Sequence, residues 1–480
     1  MTKSSKLFLS TLIFLASLAV AQEKPSEKIA LATTNIPTDR LNVYSDLAVQ
    51  WMQEYVLVDT SNPPGNEMRA VEFFKKKLDA EGIESKVFEF APEKHRGNII
   101  AWIKGSGKKR PIILLNHTDV VTSDPARWTV PPFSGKIVNG AIYGRGAQDM
   151  KCEGLAQLLV MVMLIREKVV LDRDVIFLAT ADEEANGTGT DWMIANQRGL
   201  FDNAEFLVTE GGFNEMKDGK VKYIGIDVAE KSPFWLTVTA HGKPGHGSHP
   251  LLDSAPNRLV TALQKVLAWQ TELKLTPVVE EYMRVMAPYQ SPEDAKIFSN
   301  IKTLVHDPEF RAAVARKDFN PSLRNTISLT MFGGSQQTNV IPGEAWANLD
   351  VRLLPDENPK EFLEKIRAVV NDPNVAIEPQ SKEFRISNSS STNTELFRVI
   401  RGVAAAYFQG TPVAPSLTSG YTENQRFRAL GITSYGFSPY ATTIEEGSTE
   451  HGDDERIRVE EVRRGIRVYF DVVNGIAGRQ

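Results

Sequence analysis

Imidazole and carboxylate side chains in this sequence follow apolar runs that are typical of buried strands. Three such runs end in groups that could do chemistry: His117 and Asp119 after residues 112–116, Glu183 and Glu184 after residues 175–181, and Glu210 after residues 204–208. In an open α/β sheet, ligands bind outside the carboxyl ends of the parallel strands. The pattern therefore predicts that these side chains meet at one edge of a sheet.

These side chains are the ligands that zinc and similar divalent ions prefer. Two neighbouring ions need a bridging carboxylate, and Asp149 follows a glycine-rich turn where one could be placed. A water bound between two ions becomes a nucleophile near neutral pH, and a nearby carboxylate that is not a ligand can take its proton. Because Glu183 and Glu184 are adjacent, one can bind metal while the other faces this water. Asp119 suits a role in holding the His117 imidazole in one tautomer.

One more ligand candidate, His451, lies much later in the chain, just before the last predicted helix. Taken alone, each motif has a simpler interpretation. A His-x-Asp sequence is more often a local hydrogen bond, and Asp-Glu-Glu is usually a solvated turn or the start of a helix. Their joint occurrence at the ends of successive apolar runs favours a metal site.

The composition is that of an ordinary globular protein with enough apolar material for a large core. The chain has 480 residues, of which 42% are hydrophobic and 24% charged, and this length suggests two or more domains. A formal net charge of −5 gives no reason to expect binding to nucleic acid or to anionic membranes. The only cysteine, Cys152, excludes an internal disulfide, and a buried inert thiol is favoured over a ligand.

The N-terminus has the pattern of a secretory signal peptide. Lys3 and Lys6 precede the apolar stretch 7–20, which ends in Ala19-Val20-Ala21. This predicts cleavage after Ala21, so that residues 1–21 are removed and the protein is periplasmic or secreted. A membrane anchor is the alternative, but the apolar run is short and a polar segment follows at once. No span is expected elsewhere.

The order of the predicted elements indicates an α/β fold. Strands at 112–116, 175–181 and 206–209 alternate with helices at 153–168 and 190–196, which favours a mainly parallel sheet with helices on both faces. Helices are also predicted at 41–58 and 67–81.

After residue 230 the strands alternate apolar and polar residues, as in a sheet with one solvated face. Such strands are predicted at 234–240, 325–332 and 345–353, with helices at 255–273 and 359–371. We therefore expect a catalytic domain in two pieces, 22–230 and 381–480, with an α+β domain inserted at 231–380. The second piece should contain helices at 394–407 and 459–476 around a strand at 433–437.

At this point the sequence resembles the co-catalytic zinc metallopeptidases, which include aminoacylase, the carboxypeptidase G type of glutamate carboxypeptidase, succinyl-diaminopimelate desuccinylase and carboxypeptidase S. The resemblance runs from about Tyr44 to the C-terminus. It rests on an ordered set of motifs: His-x-Asp, Gly-Arg-Gly-x-x-Asp-Met-Lys, Asp-Glu-Glu, Glu-Gly-Gly, Gly-x-x-Gly-His, Asn-Val-Ile-Pro and a late histidine. The segment 273–325 is longer than in compact members, as in the carboxypeptidase S-like branch.

The resemblance implies two divalent metal ions, with zinc expected and cobalt or manganese as alternatives. One ion would be held by His117, Asp149 and Glu210, and the other by Asp149, Glu184 and His451. Glu183 would act as general base and then as the acid for the leaving amine. Asp119 would orient His117.

The predicted inserted domain carries further motifs of this family. His246 is implied to stabilise the oxyanion, often from the partner subunit of a homodimer, although the residues alone would also allow His249 that role. Asn339 and Arg352 match substrate-binding positions, and an arginine can bind a free carboxylate through two hydrogen bonds. A salt bridge on the strand surface is the simpler interpretation of Arg352. The loop 419–426 departs from the family, with glutamate in place of aspartate and the arginine displaced by one position.

The sequence therefore predicts an exported hydrolase that cleaves an amide next to a free carboxylate, as a carboxypeptidase or dipeptidase. An N-acyl amino acid hydrolase is the alternative within the same chemistry. A non-catalytic binding protein on this scaffold would be expected to lack Glu183 or a ligand, and all are present. A serine hydrolase is unsupported, because no Gly-x-Ser-x-Gly motif lies near a suitable histidine.

Overall fold

The computed structural model describes residues 36–382 and 386–479, so the predicted signal peptide lies outside the described residues. Within these ranges, no helix has both the length and the apolar character needed to cross a membrane. The α-helices in the described ranges span Thr38–Val56, Met68–Ala80, Lys151–Arg166, Thr188–Gln197, Ala255–Ala268, Pro277–Met286, Pro292–Leu304, Pro308–Val314, Pro359–Val370, Glu395–Tyr407, Asn424–Ala429, Ile444–Gly447 and Val459–Ala477.

An eight-stranded mixed sheet organises the larger part of the chain. Its strands, in spatial order, are Glu84–Ala91, Arg96–Ile103, Val175–Thr180, Ile112–His117, Phe206–Thr209, Thr433–Gly436, Ile224–Glu230 and Val413–Thr418. The four strands from Val175–Thr180 to Thr433–Gly436 are parallel, whereas the first two strands run antiparallel to their neighbours. On the other side, Ile224–Glu230 also runs antiparallel to its neighbour Thr433–Gly436. The α/β prediction is confirmed, with antiparallel pairing toward both edges of the sheet.

The central strands of this sheet are buried along their whole length because both faces are covered. Ile112 and Leu114 belong to the cluster of buried side chains on one face, whereas Ile113 and Leu115 belong to the cluster on the other. Successive side chains of a strand point to opposite faces. The helices Lys151–Arg166 and Val459–Ala477 contribute to the first cluster and pack against each other there.

A separate five-stranded antiparallel sheet lies between the two parts of the large sheet in sequence. It contains Ser232–Pro233, Leu236–His241, Thr326–Gly333, Glu344–Leu353 and Val375–Pro379. The helices Ala255–Ala268 and Pro359–Val370 pack on it and share its own apolar cluster. The burial of Glu344–Leu353 alternates along the strand, which is the period-two pattern expected of a sheet with one solvated face.

Shorter strands form small ladders around these sheets. The pairs are Ser61–Asn62 with Val120–Val121, and Gly245–His246 with Val340–Ile341; the three-stranded ladders are Glu215–Lys217 with Lys220–Val221 and Thr442–Thr443, and Ala141–Tyr143 with Ile137–Val138 and Arg456–Arg458. The 3₁₀ segments are Pro92–Lys94, Pro125–Arg127, Arg198–Leu200, Ala287–Tyr289 and Asn320–Leu323.

The long segment 273–325 is helical and packs on the large sheet. Pro277–Met286 contacts the edge strand Val413–Thr418, and the buried side chains of all three helices in this segment join the main core. A covered edge strand cannot pair with another chain. The segment thus belongs, by its packing, with the large sheet rather than with the small one.

Candidate metal centre

Three neighbouring parallel strands deliver the predicted site residues to one edge of the large sheet. His117 ends the central strand Ile112–His117, and the strands on either side of it end just before Glu183 and Glu210. Parallel strands end at the same edge, so the three side chains meet although they are distant in sequence. The strand order therefore explains why apolar runs that end in candidate ligands bring these side chains together.

Asp149 lies at the centre of the cluster with one carboxylate oxygen toward each histidine. Its Oδ1 is 2.9 Å from His117 Nε2, and its Oδ2 is 2.9 Å from His451 Nε2. Glu210 Oε2 lies 3.5 Å from His117 Nε2, and Glu184 Oε2 lies 3.1 Å from His451 Nε2. Two triads thus share Asp149, in the grouping that the resemblance implies.

This arrangement fits two divalent cations. The donor atoms of His117, Asp149 and Glu184 all lie within 4.8 Å of one another, and so do those of His117, Glu183 and Glu210. The second oxygen of Glu184, Oε1, is buried with no hydrogen-bond partner. Buried charges are normally paired or coordinate a metal. The three carboxylates and two imidazoles of the two triads, with Asp149 shared, meet that requirement when cations are bound.

In the metal-free protein, the pKa values of the clustered side chains also indicate that the cluster needs positive charge. Burial raises the pKa of Glu210 to about 8, with the charge of Asp149 adding to the effect. Hydrogen bonds to Asp149 and Glu184 raise the pKa of His451 to about 11. Burial opposes ionisation of Asp149, but hydrogen bonds from the two histidines hold its pKa well below the usual range. Protons therefore occupy places in the cluster that cations would take.

Glu183 is next to the cluster and is not required by either triad around Asp149. Burial raises its pKa well above the ordinary value, and the negative charge of Glu210 adds to this. A carboxyl group with a raised pKa beside an open site has the properties of a proton acceptor. These properties suit the role of general base that the resemblance implies.

The turn that carries Asp149 is fixed by a buried ion pair. Glu455 accepts hydrogen bonds from Arg145 Nη1 at 2.6 Å, from the Gly146 amide at 2.8 Å and from the Gln148 amide at 2.7 Å. Gly146 has φ +79°, and a Cβ there would lie 2.5 Å from a methyl group of Val120. The glycine-rich motif is thus explained, whereas the sequence had given Glu455 no role.

Asp119 contacts the site in two ways. Its backbone carbonyl, rather than its carboxylate, lies within hydrogen-bond distance of His117 Nδ1, at 3.0 Å; the carboxylate Oδ1 is 3.8 Å away. The carboxylate instead accepts the backbone amides of Glu183 at 3.0 Å and Glu184 at 3.1 Å. Asp119 therefore fixes the imidazole through its backbone and the Glu183–Glu184 turn through its side chain.

The cluster opens into a cavity of about 950 Å³ that reaches the small sheet. Aromatic side chains line it, among them Phe213 and Trp235, and so do Arg352 and Arg426. Arg426 donates to Asp191 and to the carbonyls of Asn186 and Gly187, so it holds the turn after Glu184. Arg352 pairs through Nε and Nη2 with Asp350.

His246 and Asn339 lie outside this cavity lining and are exposed. They are close to each other, because Gly245–His246 pairs with Val340–Ile341 and the Asn339 carbonyl accepts the Gly247 amide at 2.8 Å. Cys152 lines the cavity as a buried thiol, and burial raises its pKa well above the ordinary value. Within one chain, the structure therefore gathers the predicted metal ligands, Glu183 and Arg352, but not His246 or Asn339.

Comparisons with known proteins agree with this geometry. The profile of the peptidase family M20/M25/M40 matches residues 113–475. Aminoacylase-1 of Sus scrofa is 26% identical over 90% of this chain and 95% of its own length, and the probable carboxypeptidase S-like 2 of Dictyostelium discoideum is 27% identical over 76% and 71%. The M20 family metallo-carboxypeptidase Sso-CP2 of Sulfolobus solfataricus superposes with a TM-score of 0.65 at 19% identity, covering 89% of this chain and 99% of its own.

The family match covers most of the chain, and the resemblance inferred from the motifs is confirmed. The chain belongs to peptidase family M20/M25/M40 and is a metal-dependent hydrolase with the α/β fold of that family.

Proposed function

We propose that this protein is an exported carboxypeptidase or dipeptidase that cleaves an amide bond next to a free carboxylate. The observation that carries the proposal is the placement of Arg352 in the same cavity as the cluster around Asp149. A guanidinium group binds a carboxylate in a planar, two-pronged geometry. A substrate with a free C-terminal carboxylate can thus be anchored at one end of the cavity while its amide reaches the cluster.

His117, Asp149 and Glu210 would hold one metal ion, and Asp149, Glu184 and His451 would hold the other. Two ions held in this way, which we expect to be zinc, would polarise the scissile carbonyl and lower the pKa of a shared water to near neutrality. Glu183 would accept the proton of that water and later donate it to the leaving amine.

Arg352 is the better candidate for the carboxylate-binding group of the two arginines that line the cavity. The guanidinium of Arg426 is held by Asp191 and by two backbone carbonyls, and it stacks on the ring of Tyr421. Arg352 pairs with the side chain of Asp350, and both side chains are partly exposed on the strand. A substrate carboxylate can compete with Asp350 for this guanidinium, whereas displacing the contacts of Arg426 would release the turn after Glu184.

The second candidate is an N-acyl amino acid hydrolase, favoured by the similarity to aminoacylase-1 along almost the whole chain. Both substrates present an amide next to a carboxylate, so the same ligands, base and arginine would serve. The difference lies in the group on the acyl side of the bond. The apolar side chains Phe213 and Trp235 in the cavity would suit a bulky group there or on the amino acid.

We further infer that residues 231–380 form an inserted domain and that two copies of the chain associate through it. Support comes from the small sheet with its own apolar cluster, although the helices between Pro277 and Val314 pack with the large sheet. His246 and Asn339 do not line this chain's own cavity. Their position therefore suits a role at the site of a partner subunit. Asn339 would then bind substrate and His246 would stabilise the oxyanion.

Release of free amino acid by the mature protein, from residue 22, tests the function. The panel should contain dipeptides and N-acyl amino acids with a free carboxylate, each paired with its C-terminal amide. Zinc-dependent release from the free acids but not from the amides is the expected result. Preference for dipeptides or for N-acyl amino acids decides between the two candidates. Equal release from acids and amides would contradict carboxylate recognition, and no release from a metal-loaded protein would contradict the function.

A further inference from the structure

Asn62, in the proline-rich loop that follows the first helix, contacts the carboxylate of Asp119. Its Nδ2 donates to Asp119 Oδ2 at 2.8 Å and to Asp182 Oδ1 at 2.9 Å. The short parallel ladder between Ser61–Asn62 and Val120–Val121 holds this loop beside the strand end that carries His117. One amide group therefore bridges two carboxylates, one in each of two neighbouring loops.

Arg96 completes the arrangement from the far side. Its Nη2 donates to Asn62 Oδ1 at 2.7 Å and to the carbonyl of Pro64 at 3.0 Å, and its Nη1 forms an ion pair with Asp182. Asn62, Arg96, Asp119 and Asp182 are all buried. With both its oxygen and its nitrogen engaged by buried charged groups, Asn62 has a fixed orientation, and Nδ2 must face Asp119.

The Asp119 carboxylate held in this way is the acceptor for the amides of Glu183 and Glu184. We propose that Asn62, held by Arg96, is a positioning residue that acts through Asp119 to set the backbone of Glu183 and Glu184. The inference rests on the proposed roles of these two glutamates as base and ligand. Asn62 touches neither substrate nor metal in this account.

The chain needs such a connection because the Glu183–Glu184 turn is conformationally demanding. Asp182 has φ +67°, a left-handed conformation that is uncommon for residues other than glycine. Its carboxylate accepts hydrogen bonds from Asn62 and from Thr188 Oγ1, at 2.5 Å for the latter. Asn62 therefore stabilises both the residue before Glu183 and the acceptor of the Glu183 amide.

The test is Asn62→Asp, which keeps the shape of the side chain, removes the donor and places a carboxylate against Asp119 and Asp182. Asn62→Ser removes the amide group without adding charge and serves as the milder variant. Asn325→Asp is the matched control, because Asn325 is also buried and its Nδ2 donates to a carboxylate, that of Glu357, in loops beside the small sheet.

Hydrogen exchange at the Glu183 and Glu184 amides is the first readout, since it needs no substrate. We expect exchange at least tenfold faster in both Asn62 variants than in the wild type, with wild-type exchange at these amides in Asn325→Asp. On a substrate that the wild type hydrolyses, kcat should fall at least tenfold with KM changed less than twofold. Occupancy of metal at saturating concentration should stay at the wild-type value.

Unchanged exchange at both amides in the two Asn62 variants would overturn the proposal. So would faster exchange throughout the chain, because that indicates a purely structural role, and so would faster local exchange with unchanged kcat. If no substrate is hydrolysed by the wild type, the proposed function fails, while the exchange measurement still decides whether Asn62 fixes the Glu183–Glu184 backbone.

Discussion

Loading the metal-free protein with Zn²⁺ at pH 7 should release about three protons per chain, because metal ligands must give up their protons. His117 holds one of them: burial lowers its pKa, but Glu210 and Asp149 outweigh this and raise the pKa well above the ordinary value. His451 holds the second, with a pKa of about 11, and Glu210 holds the third, with a pKa of about 8.

The magnitude follows from the proton count. If three protons leave on binding, the combined affinity for the two ions improves by about 4 kcal/mol for each unit that the pH rises, up to about pH 8, at about 1.4 kcal/mol per proton. Above that pH the Glu210 carboxyl is already ionised, and the release should fall to about two protons. The change in proton number near pH 8 is therefore the signature of Glu210.

Isothermal titration calorimetry in two buffers of different ionisation enthalpy measures this number directly. Glu210→Gln is the control: it removes the Glu210 proton and also the charge that helps to hold the His117 proton, so it should release at least one proton fewer than the wild type at pH 7. A wild-type release below one proton at pH 7, or the same release at pH 7 and pH 9, would refute the reasoning. Either result would mean that the cluster around Asp149 is not where the metal binds.

Three further outcomes are expected. Arg352→Ala should raise KM for a free-acid substrate about 10- to 100-fold with little change in kcat, as loss of a charge-assisted hydrogen bond implies; an unchanged KM in steady-state kinetics would remove Arg352 from carboxylate binding. His246→Ala should keep its metal yet turn over poorly, and mixing it with Glu183→Gln subunits should restore activity in hybrid dimers, whereas full activity of a verified monomer would contradict supply of His246 by the partner. The melting temperature of the metal-free protein should fall from pH 5 to pH 9, because Glu210 and His451 bind protons more tightly in the folded protein than in the unfolded one. This stabilisation is lost as the pH rises toward the folded-state pKa, which is about 8 for Glu210 and about 11 for His451. A melting temperature that rises with pH would contradict these shifts.

The gathering of the candidate ligands could be predicted from the sequence because its signal is local. Each of three ligand-bearing segments directly follows an apolar strand, and adjacent parallel strands end at one edge. The predicted strand at 112–116 is observed as Ile112–His117 and the predicted helix at 459–476 as Val459–Ala477. His451 carries no such local signal, and only its place in the ordered motifs indicated it.

The hydrogen bonds around Asp119 could not be predicted, because they join residues far apart in the chain. Asn62 contacts Asp119 across 57 positions and Asp182 across 120, so no spacing pattern marks them. Asp119 also contacts His117 through its backbone carbonyl rather than through its carboxylate, because the carboxylate accepts the Glu183 and Glu184 amides instead.

Three helices that the apolar periodicity did not predict carry local capping residues in the sequence. The helices Pro277–Met286, Pro292–Leu304 and Pro308–Val314 each begin with proline after a threonine, serine or aspartate whose side chain caps the helix. The helix expected at 255–273 ends at Ala268 instead, because the chain beyond it bonds to the segment before the Thr326–Gly333 strand, through Thr271 Oγ1 to the Asn325 carbonyl.

The central claim is that Glu183 accepts and donates a proton in the reaction and is not needed as a ligand of the metal ions. Turnover and metal content should be measured on the same samples of wild type and Glu183→Gln. The account predicts about two metal ions per chain in both proteins and a kcat lower by about 10²- to 10⁴-fold in the variant, the usual contribution of a general base. A fully loaded variant with kcat within tenfold of the wild type would contradict this role, and loss of metal from the variant would make Glu183 a ligand instead.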